Sequence, residues 1–300
     1  MQQLATTDRS FQFGDGLFTT IRVQQGQLQL WPYHWQRFAA SLQRLQFPSV
    51  DPDWLYQTAI SHISAPDQVM KIIISRGQSG RGYSPKGCSA VSCYFITSPL
   101  PDYQQQQQQG IELQLAELKL ARQPLLAGMK HTSRLETVLV KAEMERRAVE
   151  DVLLCDHDGF VIEASAGNIF FFKQQQWHTP KLDQAGIAGV MRHRVLKELT
   201  ITPAAYTLAA IEDCEAMFVC NALMGVVPVR QYGERPLALN ASLAIQQRVH
   251  GSLSTSLSVD SEPHPFNYFS FDASDQDRGS SESVKQISHA VLAQQTVREL

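Results

Sequence analysis

Six consecutive glutamines, Gln104 to Gln109, divide the chain into two parts that each carry strand-forming and helix-forming patterns of their own. A polar run without apolar periodicity adds nothing to a hydrophobic core, and prolines just before it strengthen its interpretation as a link. We therefore expect two lobes that meet at this run. The sequence predicts a small N-terminal α/β domain at residues 1–103, a second domain at 110–250 and a polar tail at 251–300.

The first part combines one clear helix with two strands. Apolar side chains recur at helical spacing over residues 31–47, with Pro32 near the start, and Arg37 lies off that apolar stripe. Residues 69–75 form a short β-branched run bounded by glycines, which predicts a buried strand. A glycine-rich loop, SRGQSGRGY, follows, and residues 90–97 predict a second strand.

The second part alternates strands with helices. Residues 133–136 have the S-x-x-E form of a capping box, and the apolar stripe behind it predicts a helix that begins near Ser133. Residues 151–172 predict a hairpin that turns at Asp158–Gly159, with another strand at 168–173. Small residues at 185–192 precede a further helix, and residues 215–221 predict a last buried strand before the apolar segment 225–229.

Composition narrows the class of function. The net charge of −3 over 300 residues gives no electrostatic reason to expect nucleic acid or an anionic membrane as a partner. No apolar run approaches the roughly 20 residues of a membrane helix, and the first ten residues lack the sections of a signal peptide. Five cysteines without CxxC spacing predict reduced packing residues, so we expect a cytoplasmic protein that acts on a small molecule.

The tail has a different composition from the rest of the chain. From about residue 251 it is rich in serine, aspartate and glutamine, without a periodic pattern until about residue 283. A short terminal helix is expected after that, because four apolar residues share one helical face: Val284, Ile287, Val291 and Leu292.

Common catalytic templates are missing from the sequence. It contains no P-loop, no GxGxxG after a strand, no HExxH, no GxSxG and no EF-hand loop, and no metal site is predicted. Lys130 is one of nine lysines and follows the small and apolar segment 125–129. Burial there would lower the pKa of its amine and free it for imine chemistry, whereas an ordinary surface lysine is the alternative.

Seven motifs in order carry a resemblance to a known family. They are FQFGDGLFTTIRV at 11–23, YHWQRFAASLQRL at 33–45, ISRGQSGRGYS at 74–84, AGMKHTSRLETVLVKAE at 127–143, GFVIEASAGNIFF at 159–171, DQAGIAGVMRHRVL at 183–196 and CNALMGVVPV at 220–229. Residues 5–245 resemble the fold-type IV pyridoxal-phosphate enzymes, which include aminodeoxychorismate lyases, branched-chain aminotransferases and D-amino acid aminotransferases.

The resemblance implies a fold and a cofactor. The fold would be a two-lobed α/β (α+β) structure with a small N-terminal α/β lobe and a larger C-terminal pseudo-barrel lobe. Pyridoxal 5'-phosphate would lie between the lobes, and the protein would be a homodimer whose partner chain helps to close the active site. A small molecule would be the substrate.

The resemblance also implies roles for individual residues. Lys130 matches the catalytic Schiff-base lysine, Arg37 the arginine that binds the cofactor phosphate, and Glu163 the carboxylate that faces the pyridine nitrogen. Two turns match those on the phosphate side, and they comprise Gly189, Val190 and Met191 at a helix N-terminus, with Asn221 and Ala222 after a strand. Substrate contacts are expected from four residues: Thr19, Arg81, Tyr83 and Asn168.

Within the family, the motif KHTSRLE after the lysine and the form FGDGLFTT are similar to the lyases. Thr19 stands where many of the aminotransferases carry glutamate. The implied activity is therefore conversion of 4-amino-4-deoxychorismate to 4-aminobenzoate and pyruvate. The alternatives are a D-amino acid or branched-chain aminotransferase on the same scaffold, and a catalytically silent relative that acts as a binding protein.

Overall fold

The structure is a computed structural model that describes residues 4–253. The predicted tail beyond residue 253, with the helix expected at its end, lies outside the described residues. No helix within the described part of the chain has the length and apolar content needed to cross a membrane.

A four-stranded antiparallel sheet forms the N-terminal lobe, in the strand order β2-β1-β3-β4. The strands are β1 (Gly16–Gln24), β2 (Gln27–Leu28), β3 (Gln68–Ser75) and β4 (Ser92–Ser98), and the helices are α1 (Arg9–Phe13), α2 (Trp31–Arg44) and α3 (Pro52–Ser61). Side chains alternate between the two faces of a strand, so every second residue of β1 packs under α2 and α3. Phe18 lies on the opposite face of the sheet from this core.

An eight-stranded sheet forms the second lobe, in the order β7-β6-β5-β11-β10-β8-β9, with β12 paired to β11. The strands are β5 (Ile111–Leu115), β6 (Asp151–Cys155), β7 (Val161–Ala164), β8 (Asn168–Lys173), β9 (Gln176–His178), β10 (Ala216–Asn221), β11 (Gly225–Tyr232) and β12 (Arg235–Pro236). β7 and β8 lie near opposite ends of this order, yet a tight turn joins them, with the Ala164 N–H donating to Gly167 O at 2.8 Å. The sheet therefore curls back on itself into a half-barrel.

Helices pack against the curled sheet. They are α4 (Gln104–Gln109), α5 (Leu135–Arg147), α6 (Val190–Leu199), α7 (Leu208–Ile211) and α8 (Asn240–Leu253). Aromatic and aliphatic side chains from β8 and β10 pack under α6 and α8, with the rings of Phe170 and Phe218 stacked at a centroid distance of 4.7 Å. The predicted mixed α/β fold class is confirmed, and the predicted strands all form within one to three residues of their expected bounds.

The glutamine run is a helix rather than a featureless link. The side chain of Gln107 donates from Nε2 to Met224 O at 2.7 Å, and Gln246 Nε2 donates to Gln107 O at 3.0 Å. Tyr103, just before the run, packs against the core of the second lobe, and Ile111 just after it is buried in that core. The glutamines are therefore fixed to the body of the second lobe.

The predicted capping box is wrong. α5 begins at Leu135 after Arg134, and no side chain caps it. Ser133 Oγ donates instead to Gly14 O at 3.3 Å, and Glu136 Oε1 accepts from the Ala121 N–H at 2.9 Å. These two side chains have partners far away in the sequence, so the local pairing of a capping box cannot form.

The apolar stripe predicted behind that box is real, but it faces outward. Leu135, Val138 and Leu139 are 79%, 61% and 58% exposed, while the buried face of α5 carries Val140 and Met144. We call the three exposed residues, with the neighbouring Ala142, the apolar α5 face.

The segment before α5 joins the two lobes. The Phe18 N–H donates to Lys130 O at 2.9 Å and the Thr132 N–H donates to Gly16 O at 2.8 Å, so residues 130–132 pair with the start of β1. On the other side, the Gly128 N–H donates to Gly186 O at 2.9 Å. This pairing places Lys130 between the two sheets.

Candidate active site

Lys130 lies between the lobes, beside one aromatic ring and several charged side chains. Its Nζ is 4.5 Å from the centroid of the Phe18 ring. Burial first, and the positive charge of Arg37 second, lower the pKa of this amine to about 7, although the charge of Glu163 opposes the shift. A substantial fraction of the amine is therefore uncharged near neutral pH, which is the form that attacks a carbonyl carbon.

A four-residue backbone segment, Gly186 to Gly189, gathers the other predicted site residues, and we call it the hub segment. Arg37 Nη1 donates to Ala188 O at 3.4 Å from the N-terminal lobe. Glu163 Oε2 accepts from the Ile187 N–H at 3.0 Å. The hub segment also pairs with the residues just before Lys130, because the Ala188 N–H donates to Gly128 O at 3.0 Å. Lys130, Arg37 and Glu163 are thus fixed to one piece of backbone.

Asn168 forms hydrogen bonds to two residues of the hub segment. Its Nδ2 donates to Ile187 O at 2.8 Å and, more weakly, to Glu163 Oε2 at 3.3 Å, while its Oδ1 accepts from the Gly189 N–H at 3.0 Å. Asn168 is buried, and its polar atoms are engaged by the protein. The geometry gives Asn168 an orienting position behind Glu163, whereas the sequence predicted a substrate contact.

Only one carboxylate oxygen of Glu163, Oε2, accepts hydrogen bonds in the described structure. Burial raises its pKa to about 7, against the opposing effects of the Ile187 N–H and of the charges on Arg134, Lys130 and Arg192. Within residues 4–253, no group donates a hydrogen bond to Oε1 of Glu163. This oxygen is suited to a partner that brings its own N–H, and a cationic N–H would favour the ionised carboxylate.

The N-terminus of α6 offers backbone donors next to Arg37. Gly189 is the N-cap residue of α6, and the N–H groups of Val190 and Met191 in the first turn have no acceptor within the described residues. A Cβ on Gly189 would overlap Asn168 Oδ1, so only glycine fits. Two free N–H groups, the helix dipole and a guanidinium close by together favour an anion such as a phosphate group.

Arg37 is buried and is bound by the hydroxyl of Thr19, which in turn contacts His34. Its Nη2 donates to Thr19 Oγ1 at 2.6 Å, and Thr19 Oγ1 lies 2.6 Å from His34 Nδ1. Burial lowers the pKa of Arg37 to about 10, so it remains cationic at neutral pH. Thr19 was predicted to touch substrate, but it has no exposed surface, and its hydroxyl is engaged with Arg37 and His34.

The second predicted turn lies at the end of β10, beside the start of β8. Asn221 Oδ1 accepts from the N–H groups of Leu223 and Met224 at 2.9 and 2.8 Å, and its Nδ2 donates to Ala166 O at 2.9 Å. Asn221 therefore shapes the turn that contains Ala222. Cys220 pairs with Asn168 across the sheet, so this turn is at the same end of the sheet as the hub segment.

Arg81 and Tyr83 are not brought to the hub segment. The side chain of Tyr83 is 83% exposed, and its ring contacts only Phe13 among the described rings, at 5.1 Å between centroids. Arg9 binds the loop that carries these two residues, because its guanidinium donates to the carbonyl oxygens of Tyr83 and Ser84 at 2.7 and 3.1 Å.

Several residues at the site were not singled out from the sequence. His34 and Phe18 are two of them, and Arg134 is a third. The charge of Arg134 lowers the pKa of Lys130 and of Glu163, and its Nε has no partner among the described residues. The position of Arg134, four residues after Lys130, was the one signal available in the sequence.

The chain is similar to known proteins in both sequence and structure. The sequence profile of the family Amino-transferase class IV matches residues 16–232. An aminodeoxychorismate lyase from Vibrio harveyi is 37% identical over 259 residues, which cover 83% of this chain and 94% of that protein. The crystal structure of 4-amino-4-deoxychorismate lyase from Pseudomonas aeruginosa superimposes with a TM-score of 0.79 at 31% identity, covering 86% of this chain and 96% of that one. A D-alanine aminotransferase from Bacillus licheniformis is more distant, at 23% identity over 83% of this chain and 90% of its own length.

Proposed function

The chain belongs to the class IV aminotransferase family, and from that premise we propose that it is a pyridoxal-phosphate-dependent aminodeoxychorismate lyase. It converts 4-amino-4-deoxychorismate to 4-aminobenzoate and pyruvate, a step of folate synthesis. The observation that carries the proposal is the 37% identity to an aminodeoxychorismate lyase across nearly the whole of both proteins.

The residues of the site fit pyridoxal phosphate chemically. Lys130 supplies an amine whose pKa of about 7 suits covalent attachment to an aldehyde carbon. Glu163 presents a carboxylate oxygen without a partner in the described structure, which suits a protonated ring nitrogen. Arg37 and the first-turn N–H groups of Val190 and Met191 suit the phosphate. When bound, the cofactor supplies an electron sink conjugated to the amine-bearing carbon of the substrate.

The side chains of this site have separate tasks in the reaction. The Lys130 amine accepts the proton from the ring carbon that bears the amino group, and the ammonium then donates it to the methylene carbon of the departing enolpyruvyl group, which leaves as pyruvate. A group that titrates near the working pH performs both transfers efficiently. The negative charge of Glu163 would stabilise the positive charge of the protonated ring nitrogen of the cofactor. Asn168 keeps the Glu163 carboxylate oriented.

The activity is tested with the full-length protein, chorismate, glutamine and the synthase that makes aminodeoxychorismate. We expect 4-aminobenzoate and pyruvate in equal amounts. The counter-assay supplies D-alanine or a branched-chain amino acid with a 2-oxo acid, and measures amino transfer. Amino transfer without 4-aminobenzoate would establish the aminotransferase alternative, and the absence of both products would establish the silent relative.

We also propose that the enzyme is a homodimer with the active site near the interface. The apolar α5 face is large and solvent-exposed in the single chain, and it begins five residues after Lys130. Such a face is favourable when a second copy covers it. The variant Leu139→Lys should reduce the molar mass in solution from twice 33.6 kDa to the mass of one chain. Gln57→Lys, at an exposed position on α3, is the control.

We propose that the reaction takes place in the cytoplasm, because none of the five cysteines is in a disulfide bond and four of them are buried.

A further inference from the structure

We propose that Thr19 and His34 act as a pair of positioning residues that fix the orientation of Arg37 toward the cofactor phosphate. The inference rests on the proposed function, in which Arg37 binds that phosphate. It assigns Thr19 a role different from the substrate contact that the sequence predicted, and it gives His34 a role for the first time.

The direction of the hydrogen bonds follows from the chemistry of the three groups. A guanidinium has donors only, so Arg37 Nη2 donates to Thr19 Oγ1 over the 2.6 Å between them. The hydroxyl has a single proton, and the described structure offers it no acceptor other than His34 Nδ1, also at 2.6 Å. We assign the proton of this hydrogen bond to Thr19, because its oxygen already accepts from Arg37 and its proton has no other acceptor among the described residues. His34 Nε2 is buried and has no hydrogen-bond partner in the described structure, whichever nitrogen carries the proton.

This direction fixes the state of the imidazole. His34 Nδ1 accepts a hydrogen bond and carries no proton, so the ring is neutral with its proton on Nε2. A protonated His34 would place a second positive charge beside Arg37 at a site that is 1% exposed. Burial, with the charges of Arg37 and Lys130, accordingly lowers the pKa of His34 well below its usual value.

The chain of bonds holds the guanidinium from two sides. Nη2 is bound to Thr19, which lies on β1, and Nη1 is bound to Ala188 O of the hub segment. The remaining N–H groups of Arg37 are left for an anion in a fixed direction. Thr19 and His34 are both uncharged, so neither neutralises Arg37, and its full charge is available to a phosphate.

The experiment compares the affinity of the apoprotein for pyridoxal 5'-phosphate with its affinity for pyridoxal, which lacks the phosphate. The ratio of the two dissociation constants is the phosphate preference. Thr19→Val replaces the hydroxyl with a methyl group of similar shape and should reduce the preference about 10-fold, as expected for the loss of a hydrogen bond to a charged group. Thr19→Ser should restore it.

His34 gives an independent test at a second position. His34→Leu removes the acceptor and should reduce the phosphate preference to a similar extent, whereas His34→Asn retains an acceptor near Nδ1 and should preserve most of it. Thr179→Val is the matched control, because Thr179 is equally buried and donates to Ile169 O at 2.8 Å, away from Arg37. A merely structural role would weaken binding of both ligands equally and leave the ratio unchanged.

Arg37→Gln separates the inference from the function on which it rests. If Arg37→Gln abolishes the phosphate preference while the variants of Thr19 and His34 keep it, the positioning role is overturned and the proposed function stands. If Arg37→Gln leaves the preference intact, the assignment of Arg37 to the phosphate is itself overturned. A nitrogen NMR spectrum with the His34 proton on Nδ1 would also overturn the proposed direction of the bonds.

Discussion

Gly189 is the position where the smallest change should have the largest effect on the site. An added methyl group would overlap Asn168 Oδ1, and the backbone there has a φ of −72°, so the conformation itself suits alanine. Gly189→Ala must therefore displace the Asn168 amide. That breaks three hydrogen bonds, to Gly189 N, Ile187 O and Glu163 Oε2, at 3.0, 2.8 and 3.3 Å.

The size of the effect follows from those three bonds. At about 1 kcal/mol net for each, the free energy of unfolding should fall by ~3 kcal/mol. For a chain of this size that corresponds to a decrease of roughly 5–10 °C in the melting temperature. Gly80→Ala is the control, because a Cβ at Gly80 would meet open space, and stability should change by less than about 0.5 kcal/mol.

A double-mutant cycle tests the cause. Asn168→Ala alone loses the same three bonds and should cost a similar amount, but it also removes the atom that the new methyl group would strike. Gly189→Ala added to Asn168→Ala should then cost less than about 0.5 kcal/mol, whereas independent effects would add. Chemical denaturation of the four proteins measures the cycle, and additive costs would refute the overlap with Asn168 as the cause.

Four further results are expected. Lys130→Ala should bind the cofactor poorly and give no covalent adduct on borohydride reduction. The control variant Lys141→Ala should still give the adduct. Mass spectrometry that finds the adduct at a lysine other than Lys130 would contradict the assignment. Arg134→Gln removes a positive charge that lowers the pKa of Lys130, so that pKa should rise above about 7. The pH profile of cofactor attachment should therefore move to higher pH. A move to lower pH would contradict this effect of the Arg134 charge. Glu163→Gln keeps the size of the side chain but removes its charge, so turnover should fall about 10- to 100-fold while circular dichroism stays unchanged. Leu139→Lys should dissociate the proposed dimer, and light scattering that still finds a dimer would exclude the apolar α5 face from its interface.

The strands were predictable because their signals are local. The run at 69–75 is β-branched and bounded by glycines, and it forms β3 almost as predicted. The hairpin of β6 and β7 turns at Asp158–Gly159, where Gly159 has a positive φ of 84° that favours glycine. Such features depend on a few adjacent residues, so the sequence is sufficient to locate them.

The start of α5 was not predictable, because its polar residues bind distant parts of the chain. Ser133 contacts Gly14 and Glu136 contacts Ala121, so the local S-x-x-E pattern was misleading. Arg37 is a similar case. Its position off the apolar stripe of α2 is typical of a surface arginine, yet it is 7% exposed because Thr19 and the hub segment cover it.

The candidate site was predictable from the seven motifs only as a set of residues. Lys130, Arg37 and Glu163 do converge, and the hub segment is the physical reason. The roles of Thr19 and Asn168 needed the structure, since both were expected to face the substrate and both are engaged by other side chains. The sequence gives no sign that His34 belongs to the site, because its partner Thr19 is 15 residues earlier in the chain and only the fold brings the two together.

The helical state of the glutamine run restricts how many residues the run can contain. In an unstructured linker, one extra glutamine could be added without moving the residues on either side. Here the run spans a fixed gap between Tyr103 and Ile111, both packed into the same core. One additional residue would advance the helix by about 1.5 Å and rotate it by roughly 100°, so the two ends could not both stay in place. The number of glutamines is therefore set by the distance between these two packed residues.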